Sequence, residues 1–187
     1  LKKTLLAVRS FACLAVLALL LTGCAFSGGG RSMDDPTNSL VFGFIDMDDA
    51  PTDVSYAKLQ QAAPKTESGF WTMSAEDGIL YNQYLPSGSF QMSRFGGHSF
   101  WWGEHVYDFP TYGRNETAIQ IEQPGIYFVG AYAYRDAESG FFEFGKFSIE
   151  LLDDPTEKAL LLKIQEMDWV RATQWQERIR DRLQELN

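Results

Sequence analysis

Residues 117–135, TAIQIEQPGIYFVGAYAYR, decide the fold class. Thr117 to Glu122 alternate: Ile119 and Ile121 fall on one side, Ala118, Gln120 and Glu122 on the other. That period of two is the mark of a half-buried strand. Gln123-Pro124-Gly125 then supplies turn chemistry, which reads as a tight hairpin connection into Ile126. From Ile126 to Tyr134 the chain is apolar on both sides, as expected of a strand covered on two faces and central in its sheet.

The same grammar extends outward from Leu40 to about Leu151. Short runs rich in Phe, Tyr, Trp, Ile and Val are broken by Gly, Pro, Asn and Asp. The pattern predicts strands near 40–46, 53–60, 70–74, 78–84, 88–95, 99–108, 116–122, 125–134 and 142–151. Leu85-Pro86-Ser87-Gly88 repeats the turn signal ahead of Phe90 and Met92. Phe147, Ile149 and Leu151 are expected to face inward, against Ser148 and Glu150. Many short antiparallel strands at this spacing predict a mainly β domain: two sheets stacked as an Ig-like sandwich.

The tail changes period at Asp153-Asp154-Pro155. Asp154 as N-cap, Pro155 at the first helical position and Glu157 in the first turn signal a helix start. Leu160, Ile164 and Met167 follow at spacings of three and four. Thr173 with Gln176 resembles a capping box and opens a second stripe through Trp175, Ile179, Leu183 and Leu186. Helices over about 156–168 and 174–186 are expected. A single continuous helix is the alternative, since no Gly or Pro interrupts the segment.

The N-terminal end is of another kind. Lys2, Lys3 and Arg9 precede an uncharged run from Ser10 to Gly23, which closes on Leu21-Thr22-Gly23-Cys24. The order is that of a signal peptide with a small-residue cleavage site, and the run is shorter than the roughly 20 residues of a membrane-spanning helix. Leu21-Thr22-Gly23-Cys24 resembles the lipobox of bacterial lipoproteins. The resemblance implies cleavage before Cys24 and attachment of palmitate-type acyl chains there, a membrane anchor of two or three chains. Ala25, in the position where Asp marks inner-membrane retention in that family, implies an outer-membrane address in the cell envelope. Residues 25–38 are polar, glycine-rich and aperiodic, and read as a flexible tether. The expected organisation is a signal peptide at 1–23, Cys24 and tether at 24–38, a β-sandwich at 39–152 and a helical segment at 153–187.

Composition limits the partners. Three of the 16 basic residues and none of the 25 acidic ones lie in residues 1–23, so the chain from Cys24 onward carries 13 basic and 25 acidic residues, a net charge of −12. Such a surface argues against nucleic acid. Cys13 leaves with the signal and Cys24 is acylated, which leaves no thiol for a disulfide.

Catalytic and metal chemistry find little support. The densest acidic cluster, Asp46-Met47-Asp48-Asp49 with Asp53, lacks the glycine and terminal glutamate of a Ca²⁺ loop and reads as a solvated Asx-turn before Pro51. His98, Glu104 and His105 do not share a strand face under the predicted pairing, so no metal site is expected from them. No Gly-x-Ser-x-Gly elbow is present, and Gly28-Gly29-Gly30 has no strand before it and no Lys after it. Neither a cofactor nor catalytic residues are expected, although a pair of carboxylates converging from distant positions is left open.

Three stretches recur in the same order in small envelope lipoproteins: Phe42-Gly43-Phe44-Ile45-Asp46, Leu85-Pro86-Ser87-Gly88-Ser89-Phe90 and Pro124-Gly125-Ile126-Tyr127-Phe128-Val129-Gly130. The tail around Trp175 is similar too. This resemblance implies a prealbumin-like or carboxypeptidase-regulatory-type sandwich in the envelope and carries no catalytic residues. The expected function is therefore non-catalytic: a lipid-anchored module that binds another envelope protein, or alternatively a saccharide of peptidoglycan or the cell surface. Aromatic side chains serve either task; Phe70, Trp71, Trp101, Trp102, Tyr107 and Tyr112 form the aromatic set, and of these Trp71, Trp101, Trp102 and Tyr107 are the candidate binding residues.

Overall fold

In the computed structural model the strands are β1 (Ser39–Asp46), β2 (Tyr56–Ala63), β3 (Phe70–Glu76), β4 (Ile79–Leu85), β5 (Gly88–Ser99), β6 (Gly103–Asp108), β7 (Ile119–Ile121), β8 (Ile126–Asp136) and β9 (Phe147–Leu152). Helices α1 (Glu157–Gln165) and α2 (Gln174–Glu185) follow. The structure describes residues 32–65, 69–99, 103–109, 118–136 and 147–187. The chain divides into two units, Leu1–Arg31 and Ser32–Asn187, and every element named here belongs to the second. Among the described residues no helix is long and apolar enough to cross a membrane.

Mainly β with two C-terminal helices is what the alternation and the caps predict. The hydrogen bonding differs from two separate sheets. All nine strands join one curled, mixed sheet in the order β6-β5-β2-β3-β4-β1-β8-β9, with β7 added on β5. One contact, β1 with β8, is parallel.

The sheet curls because β3 and β4 part company. They pair only at Ser74–Tyr81, Ala75–Leu80 and Glu76–Ile79, beside their turn. Beyond that, β3 stays with β2 and β4 stays with β1. Buried Asn82 bridges the fork: its Nδ2 donates to the Thr72 carbonyl at 2.7 Å, and its Oδ1 accepts from the Tyr84 amide at 2.8 Å. A buried amide side chain thus takes over where the ladder stops.

The opposite ends of the strand order then meet through aromatic rings. Phe95 of β5 stacks on Tyr107 of β6 at 5.1 Å and meets Phe147 of β9 edge-on at 6.0 Å. Tyr107 lies 5.1 Å from Tyr134 of β8, and Phe109 lies 5.7 Å from Tyr132. Val41, Ile45, Leu59, Met73, Leu80, Met92 and Val129 fill the space between.

Two turns behave otherwise than expected. Gln123-Pro124-Gly125 does turn the chain, but β7 pairs with β5 while β8 pairs with β1 and β9. Leu85-Pro86-Ser87-Gly88 likewise leads from β4, paired with β1 and β3, to β5, paired with β2. Both are crossings between the two arms of the sheet and not hairpins. β8 is an interior strand between β1 and β9, as its two apolar faces require. Leu151 corrects another expectation: it is 62% exposed, whereas Phe147 and Ile149 of the same strand pack against the core cluster, which does not extend as far as Leu151.

The helices cover the outer face of β4-β1-β8. Leu160, Leu161, Ile164, Met167, Trp175, Ile179 and Leu183 bury against Leu40, Phe42 and Ile79, with Ile126 and Phe128 alongside. β1 is thereby apolar on both sides. The N-cap of α1 is Thr156, not Asp154; its Oγ1 accepts from the Ala159 amide at 3.3 Å. Thr173 caps α2 as expected, with the Trp175 amide as donor. Arg182 closes the helix pair on Glu157 through bonds of 2.8 and 3.2 Å.

Candidate binding face

The arm β6-β5-β2-β3 buries Ala57, Leu59, Met73, Phe90, Met92 and Phe95 inward. The alternate residues of the same strands point the other way, and no helix or strand among the described residues lies over them. Strand register arranges them in rows. Phe70, Gln60 and Gln91 form one row, and Thr72, Lys58, Arg94 and Asp108 the next. Ser74, Tyr56, Gly96 and Val106 form a third, with His98 opposite Glu104 beyond it.

This face is polar, and its members hold one another. Gln91 Nε2 donates to Gln60 Oε1 at 3.3 Å. Arg94 and Asp108 pair at 3.0 Å, both exposed enough for water and salt to weaken the bond. The Tyr56 hydroxyl donates to Glu104 Oε1 at 2.7 Å. Burial, then that bond, raises the Tyr56 phenol above its ordinary range. The two apolar side chains on the face are conspicuous: Phe70 is 51% exposed and Val106 46%.

The backbone beneath is close-fitting at Gly96-Gly97. The Tyr56 ring lies over Gly96, where an added Cβ would come 3.0 Å from its Cζ and 2.5 Å from the His105 carbonyl oxygen. At Gly97 a Cβ would lie 1.8 Å from the Asp53 carbonyl oxygen. Backbone yields less than a side-chain tip, so Gly97→Ala is expected to destabilise by about 1–3 kcal/mol, read as a lower urea midpoint. An unchanged midpoint would show that the 47–55 loop moves aside freely.

Of the candidate binding residues, the two that the structure describes, Trp71 and Tyr107, lie elsewhere. Trp71 turns toward the core, edge-on to Phe90 at 6.4 Å, with its Nε1 donating to Gln61 Oε1 at 2.9 Å. Tyr107 is in the ring cluster that closes the sheet. Both therefore serve the interior, because parity sends their neighbours Phe70 and Val106 outward instead. Trp101 and Trp102, like the start of the predicted 142–151 strand, lie outside the described residues. The Tyr56-Lys58-Gln60 alternation against Ala57 and Leu59 was the available signal for the true outer face.

The acidic stretch forms the rim of a hollow of about 350 Å³, lined by Asp46, Asp48, Asp53 and Asp77 among others. Asp46 Oδ1 accepts from the Asp48 amide at 2.9 Å, an Asx-turn. Asp49 pairs with Arg135 at 3.1 Å. Among the described residues no three His, Cys, Asp or Glu side chains converge as metal ligands. His98 faces out while His105 shares the inward side with Tyr107. Compared with known proteins, the chain matches no family model, no curated protein and no solved structure, so the functional reading rests on this face and on the sequence.

Proposed function

We propose that the protein is a lipid-anchored component of the bacterial cell envelope, held by acyl chains on Cys24 and addressed to the outer membrane by Ala25. Its task is non-catalytic: the outer face of β6-β5-β2-β3 docks another envelope protein. One observation carries this reading. The outer face of β4-β1-β8 is sealed by α1 and α2, whereas the outer face of the other arm leaves Phe70 and Val106 half exposed. Apolar side chains set among polar neighbours suit a protein contact, where a few anchors supply most of the affinity. The prealbumin-like reading of the fold belongs with this proposal. It is supported by the two arms, joined beside one turn and layered through Phe95, Tyr107, Tyr134 and Phe147.

The test is in-cell crosslinking and affinity purification of the full-length, lipidated protein, with and without Phe70→Glu and Val106→Lys. Both sites are exposed, so stability is expected to change by no more than about 0.5 kcal/mol. The partner is expected to be lost from the doubly substituted protein. Undiminished recovery of the same partner would sink the assignment to this face. A saccharide reading draws on the row Phe70, Gln60 and Gln91, an exposed ring beside two amides. It predicts retention on purified sacculi that Phe70→Ala abolishes.

A further inference from the structure

The seven residues before β1 are firmly placed. Gln174 Nε2 donates to the carbonyls of Met33 and Asp35 at 2.7 and 2.8 Å. The Gln174 amide donates to Asp34 Oδ1 at 3.2 Å. Arg178, stacked 4.2 Å over the Trp175 ring, donates to the Asn38 carbonyl at 2.9 Å. The segment also closes on itself, with Asn38 Nδ2 donating to the Ser32 carbonyl at 2.8 Å. Met33 packs against the helix cluster. Residues 32–38 were expected to belong to a flexible tether; they are instead docked on the start of α2.

This docking fixes where the chain leaves the sheet. Ser32 lies beside Asn38, hence at the Ser39 end of β1, level with Leu85 and next to Gly125. The other end of β1 carries Asp46, and the Asp77–Gly78 turn lies there too. Seven steps of about 3.3 Å put roughly 23 Å between the two ends of β1.

We propose that in the lipid-anchored protein the Ser39 end of the sheet is held at the lipid surface and the Asp46–Asp53 end is turned away from it. The inference rests on the acylation of Cys24. Only eight residue steps separate Cys24 from Ser32, a reach on the order of 26–29 Å at full extension whatever the conformation. To bring the Asp46 end to the bilayer, that chain would have to run back along about 23 Å of strand while almost fully stretched. Full extension removes nearly all of its conformational freedom, so the entry end stays down. A tether free through Asn38 would impose no such order. The clamp of Gln174 and Arg178 is thus an orienting device, and the lipid surface is the neighbour of the Ser39 end.

The experiment places a single cysteine at either end of the full-length, acylated protein: Ser87→Cys beside Leu85, or Asp48→Cys beyond Asp46. Each is labelled with a fluorophore, and the protein is reconstituted in phosphatidylcholine vesicles carrying a headgroup-linked quencher. Quenching is expected to be several-fold greater at 87 than at 48. Inserting a long Gly-Ser segment between Arg31 and Ser32 is expected to abolish the difference. Equal quenching at both sites in a protein whose Cys24 is acylated by mass spectrometry would overturn the orientation and leave the anchor standing. Absence of acyl mass on Cys24 would overturn the orientation together with the anchor it rests on.

Discussion

Trp175→Ala is expected to lower the unfolding free energy by about 3–5 kcal/mol, the range for deleting a fully buried large ring. Trp175 is 0% exposed in a cluster that joins α1 and α2 to the outer face of β1. It also forms the floor for Arg178, whose bond to the Asn38 carbonyl helps hold the entering chain. The loss should appear in urea denaturation followed by circular dichroism. Trp175→Phe should cost far less, below about 1.5 kcal/mol, because volume is largely kept. The indole Nε1 has no hydrogen-bond partner among the described residues, so the smaller ring forfeits no polar contact and removes a buried unsatisfied donor. A Trp175→Ala protein within about 1 kcal/mol of the parent would mean that the cluster collapses around the gap and that the helices are held chiefly by other contacts.

Phe95→Ala is expected to cost a similar 3–5 kcal/mol, through a different part of the molecule. Phe95 is fully buried and touches Tyr107, Phe109 and Phe147. Tyr107 and Phe95 lie at one end of the strand order and Phe147 at the other, so these rings close the curl where, among the described residues, no strand pairing joins β5 or β6 to β9. A double-mutant cycle on Phe95 and Phe147 isolates that closure. A coupling of about 0.5–1.5 kcal/mol is expected for an edge-on aromatic pair. Zero coupling would mean that the two ends of the sheet pack independently and that the curl is set by the fork at Asn82.

Much of this architecture is legible in local chemistry. Ile119 and Ile121 flank Gln120 and do face the core, because side-chain parity in a strand is a property of the backbone alone. Thr173 caps α2 because its hydroxyl satisfies an amide that the helix leaves without a partner. Other readings failed where the answer depended on residues far away. The start of β2 moved from 53 to Tyr56, as the chain that follows Asp46 forms a loop against Gly97. Residues 32–38 look unstructured because nothing in their own sequence shows Gln174 and Arg178 waiting to accept them.

The binding face shows the same division. Aromatic content points to Trp71, Trp101, Trp102 and Tyr107 as readily as to Phe70, yet large rings are as valuable inside a curled sheet as on its surface. Register decides between the two. Trp71 sits opposite Leu59 and so turns inward, which leaves Phe70 opposite Gln60 on the outside. An alternating pattern reports that two faces exist and differ; only the layer packed against each tells which one water sees.

What the sequence determined by itself was therefore the kind and order of the elements: nine β segments, a helical tail with a cap at Thr173, and the places where the chain turns. Those depend on φ preferences, side-chain parity and capping bonds, all within a few residues. The tertiary structure alone decided which strand pairs with which. Pro86-Ser87 and Pro124-Gly125 turn the chain as local chemistry demands, but the strands they release find partners far along the chain, as Ile126 finds Leu40 and Ala131 finds Phe44. Strand partners are chosen by which arrangement buries Phe95, Trp175 and their neighbours together, and that burial is a sum over the whole chain.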